Sequence, residues 1–508
     1  MLGKILNIGL SLAKTTDHYN PKAIEQQTEQ LRNLLFTARK TAFGRQYRFA
    51  EILQDKNLCR AFQDNVPPAE YDDFYNQWWR FAREDQADVT WPGIVPYYAL
   101  SSGTSGASSK YIPVTRQMIR AMNRGSRRMF FDLSKYKLSG EQLQKQMLMV
   151  GSCTAPNPEN RHFVGDLSGI IGMNRPLWLS KYYRPDRLIT DLPDWSGRIE
   201  AIAAAAHRWD IGFAVGNPAW VQLIFEKIIE RYSLENIHDI WPNFKLYVHG
   251  GVFFEPYRHH FEQLLGQKVH FIDSYMASEG FFAYQNRPDS RALRLLTDCG
   301  IFYEFVPFSR QNFDEDGQIR PGAQALTLDQ VHENEQYALL ISTCAGAWRY
   351  VLGDTIQFTD ISRTEFRLTG RTKQFLSVCG EHLSIDNLNE AVRQADKKLN
   401  AGVVEFAVAG LPEGSGWVHQ WYVGLKNQSV LPHIFAAAVD EALCLLNDDY
   451  AVERQYALQA VRVEILPDKL FYKWLHQKGK MNGQAKIPRV LKEETLKNWL
   501  EFLETAPV

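Results

Sequence analysis

The sequence predicts an α/β protein with a large N-terminal domain and a smaller α+β domain at the C-terminal end. The first observation is a pair of apolar runs, residues 245–252 and 269–275, separated by a helix-like stretch at 257–265. Each run ends in glycine or polar residues. This order is typical of parallel strands joined by a helix, with ligands bound at the C-terminal ends of the strands. The second observation is the length of 508 residues, which is too great for one hydrophobic core.

The elements before these strands follow a similar alternation. Residues 21–40 carry apolar side chains at helical spacing and predict an amphipathic helix. After a turn at 91–93, the apolar run 94–100 predicts a buried strand, and a helical pattern extends from about 116 to 133. The segment rich in serine and glycine that follows the strand is predicted to be a loop that leads into this helix.

Two changes of pattern divide the rest of the chain. Short apolar runs separated by turns at 316–317 and 321–322 predict a β-rich subdomain at 293–360. Beyond a boundary near Gly370 the pattern becomes α+β, so we expect domains at 1–370 and 371–508. The predicted strands lie at 301–308, 337–341, 355–358, 403–408, 419–423 and 460–466, and the predicted C-terminal helices lie near 386–398, 431–446 and 489–503.

Composition excludes several classes of function. The chain has 57 Lys and Arg against 58 Asp and Glu, which argues against a general nucleic-acid binder. Its six cysteines form no CxxC pair and indicate reduced thiols in a cytoplasmic protein. No apolar run approaches the roughly 18 residues of a membrane span. The apolar stretch 5–13 fits a signal peptide or a short helix, and the absence of a clean cleavage site favours the helix. Nothing in the sequence requires more than a monomer.

The strongest local motif is SSGTSG at residues 101–106, with Lys110 four residues later. Glycine lets backbone N–H groups approach a phosphate closely, and serine and threonine hydroxyls add donors. The predicted helix beyond the loop is expected to favour an anion at its N-terminus. The motif matches neither a Walker A loop nor a nucleophile elbow, and its alternative is an ordinary polar surface loop. The candidate phosphate-binding residues are Ser101, Ser102, Gly103, Thr104 and Ser105.

The second motif is YMASEG at residues 275–280, directly after the apolar run that precedes it. An aromatic ring, a hydroxyl and a carboxylate at a strand end (Tyr275, Ser278 and Glu279) suit a nucleotide with Mg²⁺. This hard cation prefers carboxylate and phosphate oxygens. The alternative is a helix start capped by Ser278.

The third motif is WRYVLGD at residues 348–354. An aspartate at a tight glycine turn can accept hydrogen bonds from both hydroxyls of a ribose, which makes Asp354 a candidate for nucleotide binding. The alternative is a β-turn aspartate with no role in binding.

In this order the three motifs resemble the SSGTS, YxxSEG and YRxGD motifs of the auxin-responsive acyl acid amido synthetases, known as the Gretchen Hagen family. That family belongs to the acyl-adenylate-forming superfamily. The third motif departs from the pattern, since Tyr350 follows Arg349 instead of preceding it and one extra residue precedes Gly353. Asp354 therefore matches its motif position more closely than Arg349 does.

Three further segments extend the resemblance from about residue 95 to residue 490. Residues 247–252 resemble the strand and glycine turn that pass the adenine, which adds Gly250 and Gly251 to the nucleotide site. Residues 368–372 resemble the GRxD hinge without its aspartate and add Arg371. Residues 483–489 are similar to the QYKxPR stretch, and the match makes Lys486 the candidate catalytic lysine.

The resemblance implies an ATP-dependent amido synthetase that converts a small carboxylic acid to an acyl-adenylate and then transfers the acyl group to an amino acid. It implies Mg²⁺ bound at Glu279, catalytic roles for Glu279 and Lys486, and a mobile C-terminal domain that rotates about residues 365–375. Two alternatives remain. One is an adenylate-forming ligase with another acceptor, such as coenzyme A, and the other is a catalytically silent nucleotide-binding protein.

The acid-binding residues are less clear from the sequence. In the family that it resembles, the helix at 116–133 lines the acyl site, so Arg124 and Arg128 are candidates to meet a substrate carboxylate. The alternative is a solvated basic helix face. Residues 161–183 are rich in glycine and aromatic side chains, and they either wall an apolar acid or form ordinary core.

Overall fold

The structure is a computed structural model that describes most of the chain. The described residues are 22–101, 110–151, 156–175, 181–192, 195–251, 254–314, 317–373, 375–376, 378, 381, 383–413, 416–447, 450–451, 453–454, 458–477 and 487–505. The predictions for the apolar stretch 5–13, for Ser102, Gly103, Thr104, Ser105 and for Lys486 lie outside these residues. Among the described residues, no helix is both long and apolar enough to cross a membrane.

An eleven-stranded mixed sheet organises the N-terminal part of the chain. Five strands at one end are parallel and the remaining six are antiparallel. In spatial order the strands are Ile301–Pro307, Gln336–Thr343, Tyr350–Asp360, Glu365–Arg371, Leu293–Leu295, Gly280–Tyr284, His270–Ala277, Leu246–Gly250, Ile211–Gly216, Gln146–Val150 and Tyr183–Arg184. We call this the large sheet.

The parallel half of the large sheet confirms the strand–helix–strand prediction. Leu246–Gly250 pairs in parallel with His270–Ala277, and the helix Glu255–Gln263 joins them. Helices Trp195–Ala205 and Pro218–Tyr232 join other strands of this half. Large apolar side chains such as Trp220 and Phe225 are fully buried in its core, which is the main stabilising contribution expected for a buried parallel sheet.

The short strands predicted for 293–360 are present as long antiparallel strands. They continue the large sheet, because Leu293–Leu295 pairs with Gly280–Tyr284 on one side and with Glu365–Arg371 on the other. The predicted domain limits themselves remain predictions.

The predicted amphipathic helix is Ala23–Ala38, and it packs on the edge of the large sheet. Its buried Gln27 donates to the carbonyls of Thr297 and Ile301 at 2.7 and 3.0 Å and accepts from the Tyr303 N–H at 2.8 Å. Other helices of the N-terminal part are Ala42–Gln46, Phe49–Ile52, Leu58–Asn65, Tyr71–Phe74, Arg80–Arg83, Arg116–Asp132, Leu167–Met173 and Arg187–Thr190.

A four-stranded sheet corrects one expectation about the serine- and glycine-rich loop. Strand Tyr97–Ser101 is followed by a second strand, Lys110–Val114, and the two pair antiparallel from Tyr97↔Val114 to Ser101↔Lys110. The prediction that the loop leads into a helix N-terminus is therefore wrong. The helix Arg116–Asp132 begins only after the second strand, and its first turn is capped by Thr115, whose Oγ accepts from the Met118 N–H. Strands His162–Gly165 and Asn157–Glu159 complete this sheet.

The C-terminal part contains the sheet Val403–Glu413, Gly416–Leu425 and Leu458–Leu466. Helices Ile385–Leu399 and Pro432–Leu446 pack on one face of it. The opposite face, through Ala407 and Tyr422, shares a core with the helices of the parallel half. Helix Asp468–Gln477 was not predicted, whereas the last helix was predicted and is Glu493–Thr505. The two-stranded pair Phe375–Leu376 and Leu383–Ser384 lies between the two parts in sequence.

Candidate active site

Three of the predicted nucleotide-binding residues form one hydrogen-bonded cluster, which we call the aspartate cluster. The Tyr275 hydroxyl donates to Asp354 Oδ2 at 2.5 Å, and Arg371 Nε donates to Asp354 Oδ1 at 2.7 Å. Tyr275 and Asp354 are buried, whereas the Arg371 side chain is partly exposed. Because a donor holds each oxygen, the plane of the carboxylate is fixed while each oxygen keeps a lone pair for a further donor.

Strand register and one glycine position this cluster. Asp354 lies directly opposite Arg371 in the pairing of Tyr350–Asp360 with Glu365–Arg371. The preceding Gly353 has a φ of +85°, a conformation that favours glycine, and its carbonyl accepts from the Thr372 N–H at 2.8 Å. The alternative of a β-turn aspartate is therefore wrong, since Asp354 lies within a strand.

Glu279 lies in the tight turn between His270–Ala277 and Gly280–Tyr284. No helix starts here, so the alternative in which Ser278 caps a helix is wrong. Glu279 is buried, and burial raises the pKa of its carboxyl; the charge of Asp354 acts in the same direction, while Lys110 and Arg371 oppose it. A buried carboxyl whose pKa is raised by burial, near two cations and an aspartate, is typical of a functional site.

The ends of the serine- and glycine-rich loop lie in the same region. Ser101 and Lys110 face each other as the last pair of the hairpin. Burial lowers the pKa of Lys110, and Arg371 and Lys373 act in the same direction against the carboxylates of Glu279 and Asp72. The ammonium lies 5.0 Å from the centre of the Tyr71 ring. The hairpin thus brings Lys110, which follows the loop in sequence, close to Glu279 and Arg371.

Gly250 and Gly251 end a strand next to the one that carries Tyr275. Gly250 is opposite Ser274, and a Cβ at Gly250 would lie 2.4 Å from the Ser274 carbonyl oxygen, so only glycine fits. Gly251 has a φ of +86°, in the left-handed region that favours glycine. The two glycines therefore mark the C-terminal end of the parallel strands, where ligands bind in sheets of this kind.

The contacts of Arg349 indicate a role in stabilising the fold. Its guanidinium is buried and contacts both oxygens of Glu304 at 3.0 and 3.1 Å, and it donates to the carbonyls of Gln63 and Val66. Trp348 is fully buried, and its ring packs against the rings of Phe43 and Phe49. The rearranged order of the third motif therefore corresponds to residues that pack the fold next to the site.

Arg124 and Arg128 lie close to Asp298 on the protein surface. Neither arginine belongs to the aspartate cluster. Arg128 forms two parallel hydrogen bonds to Asp298, at 2.8 and 2.7 Å. Arg124 is exposed and lines a surface groove together with Asp298 and Glu25. Within the same helix, Gly125 faces inward, where its Cα hydrogen leaves room for Phe281 and Leu296. Acid binding by either arginine remains a prediction.

Two tyrosines of this region were missed in the sequence analysis. The Tyr71 hydroxyl accepts from the Tyr111 N–H at 2.8 Å, and burial raises its pKa to about 12. Tyr350 is fully buried, and burial raises the pKa of its hydroxyl, with Glu279 and Tyr71 adding to the effect. Tyr350 was noticed only as a departure from a motif, and no signal in the sequence connects Tyr71 with it.

The described residues hold no group of three or more histidine, cysteine, aspartate or glutamate side chains arranged for a metal ion. Asp354 is nevertheless close enough to Glu279 for its charge to raise the pKa of the Glu279 carboxyl. The assignment of Mg²⁺ to Glu279 remains a prediction.

Three family models match the chain: the GH3 family N-terminal domain at residues 13–199, the GH3 family central domain at 294–371 and the GH3 family C-terminal domain at 386–495. Among curated relatives, the putative indole-3-acetic acid-amido synthetase GH3.9 of Arabidopsis thaliana is 25% identical over 244 residues, which cover 44% of this chain and 40% of that protein. The indole-3-acetic acid-amido synthetase GH3.8 of Oryza sativa subsp. indica is 30% identical over 142 residues, covering 26% and 22%. These alignments therefore span two fifths or less of the relatives' length.

Two solved structures are similar over almost the whole chain. The GH3.15 acyl acid amido synthetase has a TM-score of 0.78 at 17% identity, covering 97% of this chain and 95% of that one. A 2-hydroxyisobutyryl-CoA ligase in the postadenylation state has a TM-score of 0.62 at 13% identity, covering 96% and 94%. The predicted α/β fold, with a large N-terminal domain and a smaller C-terminal domain, is confirmed by these likenesses.

Proposed function

The chain belongs to the GH3 family, and from this membership we propose that it is an ATP-dependent acyl acid amido synthetase. In the first half-reaction, a carboxylate oxygen of the acid attacks the α-phosphorus of ATP, giving acyl-AMP and releasing pyrophosphate. In the second, the amine of an amino acid attacks the acyl carbon, forming an amide and releasing AMP. We assign the protein to the cytoplasm and expect it to act as a monomer without nucleic acid or membrane.

The aspartate cluster carries this proposal. Asp354 has one lone pair available on each oxygen after Tyr275 and Arg371 have donated to it. A pair of vicinal hydroxyls, as in the ribose of ATP, can donate to the two oxygens of one carboxylate. Tyr275 and Arg371 fix the orientation of the carboxylate before ATP binds, which lowers the entropy lost on binding.

Glu279 is the residue to which we assign Mg²⁺. When bound, this cation neutralises charge on the phosphates of ATP. The support is a buried carboxylate whose burial is only partly offset by Lys110 and Arg371, so that a cation would relieve the cost of its ionisation. Gly250 and Gly251 would flank the adenine, on the resemblance of their segment.

The remaining roles rest on the family resemblance. Ser101 with Ser102, Gly103, Thr104 and Ser105 would hold the phosphates, and Lys486 would stabilise charge that develops at the α-phosphate. Lys110, at the end of the same loop and close to Glu279, supplies a further positive charge. Arg124 and Arg128 are proposed to meet the acid, in competition with Asp298 for Arg128.

The test is ATP–pyrophosphate exchange with a panel of carboxylic acids that includes indole-3-acetate, the acid named for the Arabidopsis relative. The best acid is then incubated with ATP and the twenty amino acids, with coenzyme A as the competing acceptor. We expect exchange with at least one acid and an amide product, with Lys486→Ala as the inactive control. A thioester product would assign a coenzyme A ligase instead, and no exchange with any acid would refute adenylation.

A further inference from the structure

The junction between the N-terminal and C-terminal parts contains polar contacts in an apolar setting. Helix Glu255–Gln263 of the N-terminal part packs against strand Val403–Glu413 and helix Ile385–Leu399. Two of its side chains, Tyr257 and His260, are three residues apart and so lie on one face of the helix. Both contact residues of the C-terminal part.

Tyr257 forms the buried contact. Its hydroxyl donates to Glu405 Oε1 at 2.6 Å, and Arg489 Nη1 donates to Glu405 Oε2 at 2.6 Å and to the Phe406 carbonyl at 2.8 Å. Glu405 and Tyr257 are buried, at 3% and 4% exposure. Glu405 and Arg489 both belong to the C-terminal part, so within this group a relative movement of the two parts breaks the contacts of Tyr257 and leaves the Glu405–Arg489 pair intact.

His260 forms a second, more exposed contact. Lys426 Nζ lies 2.7 Å from His260 Nδ1, and His260 Nε2 lies 2.5 Å from Glu226 Oε1. Lys426 Nζ also lies 3.0 Å from His260 Nε2, so the ammonium is close to both ring nitrogens. The chain Lys426–His260–Glu226 therefore also links the C-terminal part to the N-terminal part.

The Tyr257 contact lies close in sequence to Lys486. Arg489 is three residues after Lys486, and the backbone at 489–491 is attached to strand Val403–Glu413. The Val408 N–H donates to the Arg489 carbonyl, and the Leu491 N–H donates to the Val408 carbonyl, both at 2.8 Å. Glu405, which holds the Arg489 side chain, is on the same strand. Strand Val403–Glu413 therefore fixes the position of Arg489, which follows Lys486 by three residues in sequence.

We propose that Tyr257 is a positioning residue for adenylation, which holds Glu405 and Arg489, three residues after Lys486 in sequence, in one orientation relative to the N-terminal part. This inference rests on the proposed function, since it assigns the observed orientation to the first half-reaction. Movement of the C-terminal part for the second half-reaction would break the Tyr257–Glu405 and His260–Lys426 contacts together.

The chain contains a matched control for this contact. Within the C-terminal part, the Tyr450 hydroxyl donates to Asp440 Oδ1 at 2.7 Å, and Arg454 pairs with the same carboxylate at 2.7 and 2.8 Å. Tyr450 is fully buried. Tyr257 and Tyr450 thus have the same chemistry, a tyrosine and an arginine on one carboxylate, but only Tyr257 crosses the junction.

The test compares Tyr257→Phe with Tyr450→Phe, each of which removes one hydroxyl. The first measurement is pyrophosphate exchange, and the second is amide formation from acyl-adenylate already bound to the enzyme, using the acid that gives the fastest exchange. We expect Tyr257→Phe to slow exchange roughly tenfold, since it loses a hydrogen bond to a charged group, and to leave amide formation within about twofold. Tyr450→Phe should change neither rate by more than about twofold.

Equal exchange rates in the two variants, or a parallel loss of both half-reactions in Tyr257→Phe, would overturn the proposal. Lys426→Met, at the exposed contact, gives a second variant if Tyr257→Phe does not fold. It should slow exchange while leaving amide formation unchanged. Unchanged exchange in Lys426→Met would likewise overturn the proposal.

Small-angle scattering of the protein without ligands separates this inference from the proposed function. We expect Tyr257→Phe to have a larger radius of gyration than Tyr450→Phe, because the junction opens more often. This comparison does not depend on any substrate. Absence of exchange in the unsubstituted protein would refute the proposed function alone, whereas equal radii would refute the role of Tyr257.

Discussion

Asp354 is the residue on which the candidate nucleotide site depends most. Both of its carboxylate oxygens already accept a hydrogen bond, one from Tyr275 and one from Arg371. The side chain is therefore oriented before any ligand arrives. An amide in its place would present an N–H₂ group to one of these donors and would lose the charge that favours both.

Asp354→Asn should raise the KM for ATP by roughly ten- to a hundredfold, since hydrogen bonds to a charged acceptor are lost. Tyr275→Phe should raise it less, because Arg371 still holds the carboxylate. The measurement is exchange rate against ATP concentration at saturating acid. An unchanged KM in Asp354→Asn would exclude Asp354 from ATP binding.

Glu279 should show a conflict between stability and activity. Burial raises its pKa, so the folded protein binds the proton more tightly than the unfolded chain does. Ionisation therefore costs stability, and the cost develops as the pH rises from the ordinary glutamate pKa of about 4.3 through the raised value. It is present in full above the raised pKa and is absent below the ordinary one.

Glu279→Gln should accordingly raise the thermal midpoint at neutral pH and abolish most exchange activity. The gain in midpoint should disappear as the pH is lowered to about 4. Thermal unfolding at several pH values checks this, with Tyr275→Phe as a neighbouring variant that keeps the carboxylate. A loss of stability at neutral pH would contradict the assignment of a burial cost to Glu279.

At the scale of elements, the Arg349–Glu304 pair ties the end of helix Leu58–Asn65 to the large sheet. Arg349 joins strand Ile301–Pro307 to the carbonyls of Gln63 and Val66, at the end of helix Leu58–Asn65. Both charged side chains are almost fully buried, at 5% and 1% exposure. Removal of one partner leaves an uncompensated charge in the core.

Arg349→Met should therefore destabilise the protein by about 3–5 kcal/mol, measured as the free energy of unfolding in denaturant. Arg128→Ala breaks an exposed ion pair with Asp298 and should cost at most about 1 kcal/mol. If the two variants were equally stable, the buried pair would not have the structural role that its contacts indicate.

Some of these helices and strands could be predicted from the sequence, and others could not. Periodicity predicts the helix Ala23–Ala38 and the parallel strands, because each buries a continuous apolar face. Strand Lys110–Val114 was missed, since it is a five-residue edge strand that contains Pro113, and a proline usually argues against a strand. The expected anion site at a helix N-terminus was wrong for this reason.

For the candidate site, the motifs predict which residues take part but not how they meet. Tyr275 and Asp354 are 79 positions apart, and their contact depends on strand pairings that leave no local signal. Arg371 was identified from a resemblance, although its partner could be known only from the register of two antiparallel strands. Tyr71 had no signal at all, because its role depends on packing under Lys110.

At the scale of the whole molecule, the two parts share a hydrophobic core. That core includes Trp220 and Phe225 from the N-terminal part and Phe471 and Trp499 from the C-terminal part. The polar contacts of Tyr257 and His260 lie beside this apolar surface. The C-terminal part is therefore both a candidate mobile element and a cover for apolar side chains.

A chain that ends at residue 370 should consequently expose apolar surface and associate. We expect it to elute as aggregates in size-exclusion chromatography under conditions in which the full chain is monodisperse. Removal of only the last helix, Glu493–Thr505, should have a smaller effect of the same kind, since it uncovers Trp499's neighbours alone. A monomeric, folded 1–370 fragment would show that the shared core is not needed to cover the N-terminal part.

The short strand Leu293–Leu295 has a consequence for anyone who wishes to build chimeric enzymes from relatives of this protein. If only residues 294–371 were exchanged, Arg294 and its neighbour Glu365 would come from one parent protein. The other neighbour of Arg294, Tyr284, would come from the second parent. A crossover before His270–Ala277 instead takes all three residues from one parent. It also transfers Tyr275 and Asp354 as a unit, so that an exchanged segment arrives with the hydrogen bond between them intact.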